Sequence, residues 1–130
     1  MTLKIRITSY WPAIIALVVA TILFCLPGDE IPRSSWLDKF HIDKFVHIGL
    51  FSVLVFLWGL PLLSRSDKQN AGRMYLWITL AFFAYGIGIE FIQSNFIPHR
   101  SFDFFDLVAD AIGCAFGGVV ASKTPSVIKI

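Results

Sequence analysis

Four stretches of the chain, residues 10–26, 43–63, 74–95 and 103–122, are each long and apolar enough to cross a lipid bilayer. A helix of about 20 mostly apolar residues matches the hydrocarbon thickness. The chain of 130 residues is 56% hydrophobic with a mean hydropathy of +0.72, beyond the apolar share of ordinary soluble domains. The expected fold is an all-α integral membrane protein, a four-transmembrane-helix bundle forming one domain over residues 1–130.

Local chemistry marks the segment ends. Lys4 and Arg6 precede the first apolar run as in a signal peptide, but no small-x-small cleavage pattern follows. Bulky Phe24 ahead of Cys25 argues against a lipoprotein, so a retained helix is expected. Gly59 and Pro61 stand where the second helix is easily bent or stopped. In the loop over residues 28–42, Trp36 suits the headgroup level, and Ser35 with Asp38 has capping-box spacing, so a short interfacial helix is expected. Cys25 and Cys114 fall at different depths, and no disulfide is expected between them.

Orientation follows from the loops. One side collects seven bases (Lys4, Arg6, Arg65, Lys68, Arg73, Lys123, Lys129) with one acid, Asp67; the other collects four bases and eight acids. The positive-inside rule then puts both termini in the cytoplasm. On this topology Asp43, Lys44 and His47 open helix 2 from the outer side, Glu90 and Gln93 approach the outer end of helix 3, and Asp103, Asp106 and Asp110 open helix 4. At 1.5 Å rise per residue Asp110 lies roughly 10 Å below Asp103, so the polar region is a funnel.

Ionisable side chains at such depth are costly, about 2.5 to 3.5 kcal/mol each at mid-bilayer on insertion scales, and need a reason. Asp103, Asp106, Asp110, Gly113 and Gly117 recur at three and four residues and share one helix face. The carboxylates would face the bundle interior, and the glycines in small-xxx-small spacing would admit a neighbouring helix. Asp103 also suits an N-cap, and Asp106 the positive end of the helix dipole. Capping does not extend to Asp110, two turns inside. Arg100, in the turn between helices 3 and 4, is within reach of Glu90, Asp103 and Asp106.

Several function classes fall away. The basic residues form no run interleaved with aromatics, so no nucleic-acid surface is expected. There is no phosphate-binding glycine loop and no G-x-S-x-G. His47, Glu90 and Asp106 make a mixed nitrogen and oxygen set, but without HxxxH, HExxH or CxxC spacing no metal and no cofactor are expected.

Asp43-Lys44-x-x-His47, Glu90-x-x-Gln93, Pro98-x-Arg100, Asp103-x-x-Asp106 and the stripe ending in Gly113 and Gly117, in this order, resemble the VanZ-like membrane proteins, a family named after a teicoplanin-resistance protein. The resemblance covers nearly everything from residue 43 onward. It implies a compact four-helix domain in the bacterial cytoplasmic membrane, with a role in glycopeptide-antibiotic resistance or cell-envelope maintenance. It also implies site positions at Asp43, Lys44, His47, Glu90, Gln93, Arg100, Asp103 and Asp106. Position 110, usually Asn in the family, is Asp110 here and adds a carboxylate.

The leading expectation is a pocket in the outer half of the membrane that binds a lipid headgroup or lipid-linked glycan precursor. Lys44 and Arg100 would engage phosphate, and Asp43, Gln93, Asp103 and Asp110 would complete the binding surface. Two alternatives stand beside it. One is an intramembrane enzyme on envelope lipids, with Glu90 as acid, Asp106 as nucleophile or base and His47 as proton shuttle. The other is a structural or partner-binding protein whose charges form a buried packing network. The sequence leaves catalysis and oligomeric state open.

Overall fold

The computed structural model describes residues 4–6, 9–26, 42–65, 69–98, 102–123 and 127–129. Among these residues four helices follow in chain order: α1 Trp11–Phe24, α2 Ile42–Arg65, α3 Ala71–Phe96 and α4 Phe104–Lys123. The interfacial helix expected around Ser35 and Asp38, and Arg100 in the turn before α4, lie outside the described residues; so does the side chain of Asp43.

Three of the helices, α2, α3 and α4, are long and apolar enough to cross a membrane, and α1 is a shorter apolar helix. The protein is thus a multi-pass membrane protein in which the first expected span differs from the rest. α1 has 14 residues and covers about 21 Å at 1.5 Å per residue, against a hydrocarbon core of about 30 Å. It begins with Pro12 in the first turn, where a missing N–H costs nothing. At the other end Cys25 has already left helical geometry, two residues ahead of Pro27. α2, in contrast, is not stopped by Pro61: the helix continues through it to Arg65, and the ring is buried.

Outside the bundle, β1 (Lys4–Arg6) pairs antiparallel with β2 (Val127–Lys129), with Ile5 opposite Ile128. The two ends of the chain therefore lie side by side, a feature the all-helical expectation did not contain.

In lipid, apolar side chains gain nothing by leaving the tails for each other, so close fit and polar contacts hold helices together. α2 and α4 make the most extensive pairing, and small residues allow it. A Cβ added at Gly113 would sit 2.6 Å from the Ile48 carbonyl oxygen, and one at Gly117 would strike the Ser52 carbonyl. Gly113 and Gly117 are thus the expected seam, and α2 is its partner. Phe24, Phe51, Leu54, Val55, Ile89 and Cys114 form the buried core between the helices. Both cysteines are free thiols.

Polar contacts between described residues tie α1 to α3. The hydroxyls of Thr21 and Tyr85 share a hydrogen bond of 2.7 Å, and the Gln93 amide donates to the Phe24 carbonyl at 2.8 Å. That bond satisfies one of the carbonyls left open at the end of a helix. Large apolar side chains such as Phe45, Trp77 and Phe91 face outward, while Glu90, Asp106 and Asp110 are buried. The charges are inside and the hydrocarbon is outside, as a lipid solvent requires.

Candidate functional site

Three helices contribute to one polar cluster. α2 brings Lys44 and His47, three residues apart and so on one face. α3 brings Glu90 from its last third, and α4 brings Asp106 and Asp110 from its first two turns, with Asp103 just ahead of it. The glycine seam lets α2 and α4 approach closely enough for these side chains to meet.

At the mouth, Lys44 Nζ donates a hydrogen bond to Asp103 and stands 3.0 Å from Asp106 Oδ1, an ion pair without hydrogen-bond alignment. Asp103 caps α4 by accepting from the Phe105 N–H at 2.9 Å. The Lys44 hydrogen bond, with the Phe105 N–H behind it, holds the Asp103 carboxyl below its ordinary value of 3.8, against a smaller upward push from partial burial. Access is from this end: the Asp103 and Lys44 side chains keep 36% and 20% of their surface exposed, against 10% for Asp106.

Below the mouth the groups are sealed. His47 Nδ1 is 2.7 Å from Asp110 Oδ1, and His47 Nε2 is 3.7 Å from Asp106 Oδ2. An ionised Asp110 only accepts, so His47 Nδ1 carries a proton, and Nε2 is turned toward Asp106. The imidazole packs against Phe24, with ring centroids 4.9 Å apart, and lies parallel to Phe51. Glu90 is fully buried. Its Oε2 accepts from the Asp103 N–H at 3.2 Å, while its Oε1 and Asp110 Oδ2 have no hydrogen-bond partner among the described residues. One ligand atom from each of His47, Glu90 and Asp106 lies within 4.8 Å of the other two.

Lys44, His47, Glu90, Asp103, Asp106 and Asp110 are therefore one constellation. Gln93, also expected at the site, has its amide donor engaged on the Phe24 carbonyl of α1. Two contributors were not anticipated. Phe51, four residues after His47 and so on the same helix face, supplies the floor under the ring. Gly86, four residues before Glu90, leaves the space that Asp110 fills: a Cβ there would be 2.6 Å from Asp110 Oδ2. The periodicity of α2 and α3 carried both signals.

The ordered residues that make this cluster fall within a match to the VanZ/LLP1 profile over residues 7–127. The chain belongs to the VanZ/LLP1 family. A relative in this comparison is an uncharacterised protein of Schizosaccharomyces pombe, 33% identical over 104 residues, which are 78% of this chain and 55% of the yeast protein. This VanZ/LLP1 chain thus spans about half the length of that relative. No solved structure matches the chain.

Proposed function

We propose that this VanZ/LLP1 protein binds an anionic membrane lipid, with the phosphate at Lys44 and an acyl chain along the α2–α4 groove. The observation that carries the reading is a groove of about 400 Å³ lined by Lys44, Ile48, Phe105, Val108, Ala109 and Ile112. It joins one cation to an apolar track that is open toward lipid. A second, smaller groove lined by Ser52, Val53, Phe56, Phe116, Gly117 and Val120 continues along the same two helices. From residue 105 to residue 120 the track runs about 22 Å, more than the depth of one leaflet. The Asp103 and Asp106 carboxylates beside Lys44 suit hydroxyl or ammonium groups on the headgroup.

The Lys and Arg distribution supports an outer-leaflet position for this mouth. The fungal relative favours a lipid common to bacterial and fungal membranes over a glycan precursor peculiar to one envelope. Envelope maintenance and glycopeptide resistance would follow from lipid binding of this kind.

Native mass spectrometry of the detergent-purified chain with phosphatidylglycerol and phosphatidylcholine tests the reading. Phosphatidylglycerol should be retained preferentially. Lys44→Ala should weaken it roughly tenfold to a hundredfold, the worth of a charge-assisted hydrogen bond. Equal retention of both lipids by both proteins would remove the site.

An enzymatic reading draws support from the chain Asp110–His47–Asp106, whose imidazole is oriented as a proton carrier. Its mark is turnover: lipid incubated with the wild-type protein should change mass, and lipid incubated with His47→Gln should not.

A further inference from the structure

We propose that His47, Glu90 and Asp106 form a three-ligand site for a divalent transition-metal ion of the zinc and manganese class, one ligand from each of three helices, buried about one helical turn below Lys44. The site goes beyond the lipid reading and stands or falls without it. The absence of paired ligand motifs argued against a metal at the level of sequence, but that signal concerns ligands on one element, and these come from three.

The first observation is convergence. His47 Nε2 and Asp106 Oδ2 are 3.7 Å apart, and one ligand atom from each of His47, Glu90 and Asp106 lies within 4.8 Å of the other two. Atoms bound at about 2.1 Å to one ion in tetrahedral geometry stand about 3.4 Å from each other, so the side chains need to draw in by on the order of 1 Å. The second is the unmet demand for a cation. Four carboxylates, Glu90, Asp103, Asp106 and Asp110, stand against two bases, Lys44 and His47, among the described residues, and Glu90 Oε1, fully buried, has no hydrogen-bond partner among them. Excess negative charge in a sealed, apolar setting is relieved by a bound cation or by a proton.

The third observation is the support behind the ligand set. Asp110 accepts from His47 Nδ1 at 2.7 Å, the carboxylate–histidine arrangement that orients a ring for metal and raises its basicity. The asparagine expected at this position from the family resemblance would hold the tautomer with less charge. One imidazole with two carboxylates suits zinc, manganese or ferrous iron better than magnesium or calcium, which favour all-oxygen sets, and better than copper(I), which favours sulfur. The ion would enter past Lys44 and Asp103, the exposed end of the cluster. The competing account is a proton shared by Glu90 and Asp106, which needs no metal.

The test uses the full chain in detergent, stripped with EDTA, equilibrated with Zn²⁺ or Mn²⁺, desalted and assayed for metal. The expected result is about one ion per chain, with a melting temperature that rises with free metal concentration. Glu90→Gln and Asp106→Asn should abolish stoichiometric retention, and Asp110→Asn should weaken it by about 10- to 100-fold. Binding of less than a tenth of an equivalent by the wild-type chain, with no change in melting temperature, would overturn the proposal and leave the shared proton. So would equal retention by the wild-type chain and the folded Glu90→Gln variant, which marks adventitious surface binding. The wild-type measurement decides even where a variant fails to fold.

Discussion

Asp103 shows how one residue joins the fold to the site. One of its oxygens caps α4 through the Phe105 N–H, the other accepts from Lys44, and its own N–H donates to Glu90. Its carboxyl is held below the ordinary 3.8 in the folded protein. The ionised form therefore adds stability at every pH above 3.8, and that contribution is lost as pH falls through the lower folded value. Asp103→Asn keeps a capping oxygen but loses the charge, so it should be less stable than wild type at neutral pH, with the gap closing in acid below the native value. Asp103→Ala loses the cap as well and should cost about 1 kcal/mol more. Thermal unfolding in detergent across a pH series reads both. The cap was legible in the sequence from its place after Pro98 and before an apolar run. The engagement of Gln93 was not, because the carbonyl it satisfies belongs to Phe24, 69 residues away.

The α2–α4 seam determines how the helices meet. A methyl at Gly117 would run into the Ser52 carbonyl, whereas one at Gly49 meets nothing within 4 Å. Gly117→Ala should therefore destabilise the bundle by about 1 to 3 kcal/mol through overpacking. Gly49→Ala should be neutral or mildly stabilising, since alanine is the better helix former by about 1 kcal/mol. Unfolding by SDS titration in mixed micelles would rank the two, and equal losses would contradict the seam. The spacing of Gly113 and Gly117 announced a tight contact in the sequence, but not its partner, because any helix can offer backbone. The length of α1 was also out of reach: its apolar run reads through Cys25 and Leu26, where the backbone has already left the helix.

At the scale of the molecule, the β1–β2 ladder brings the two ends of the chain together. Reporters fused ahead of Lys4 and behind Lys129 should show the same accessibility in intact cells, both shielded or both exposed. Opposite accessibility would contradict the pairing. Three-residue strands with partners more than 100 residues apart have no local signature, whereas long apolar helices are written plainly in composition. The cluster lies between these cases. Its members could be named from depth and spacing, but their pairing, with His47 on Asp110 and Lys44 on Asp103, depends on the approach of helices that the sequence does not specify.

Gly86 has no functional group, yet the space it leaves is occupied by the Asp110 carboxylate and the edge of Phe51. Any side chain there would push Asp110 off His47 Nδ1 and release the ring. In a saturation screen this glycine should therefore score as intolerant as the ionisable residues. Gly88, two positions along the same helix with open space around it, should accept alanine freely. A genetic map of essential positions would then trace the outline of a cavity as well as the chemistry within it.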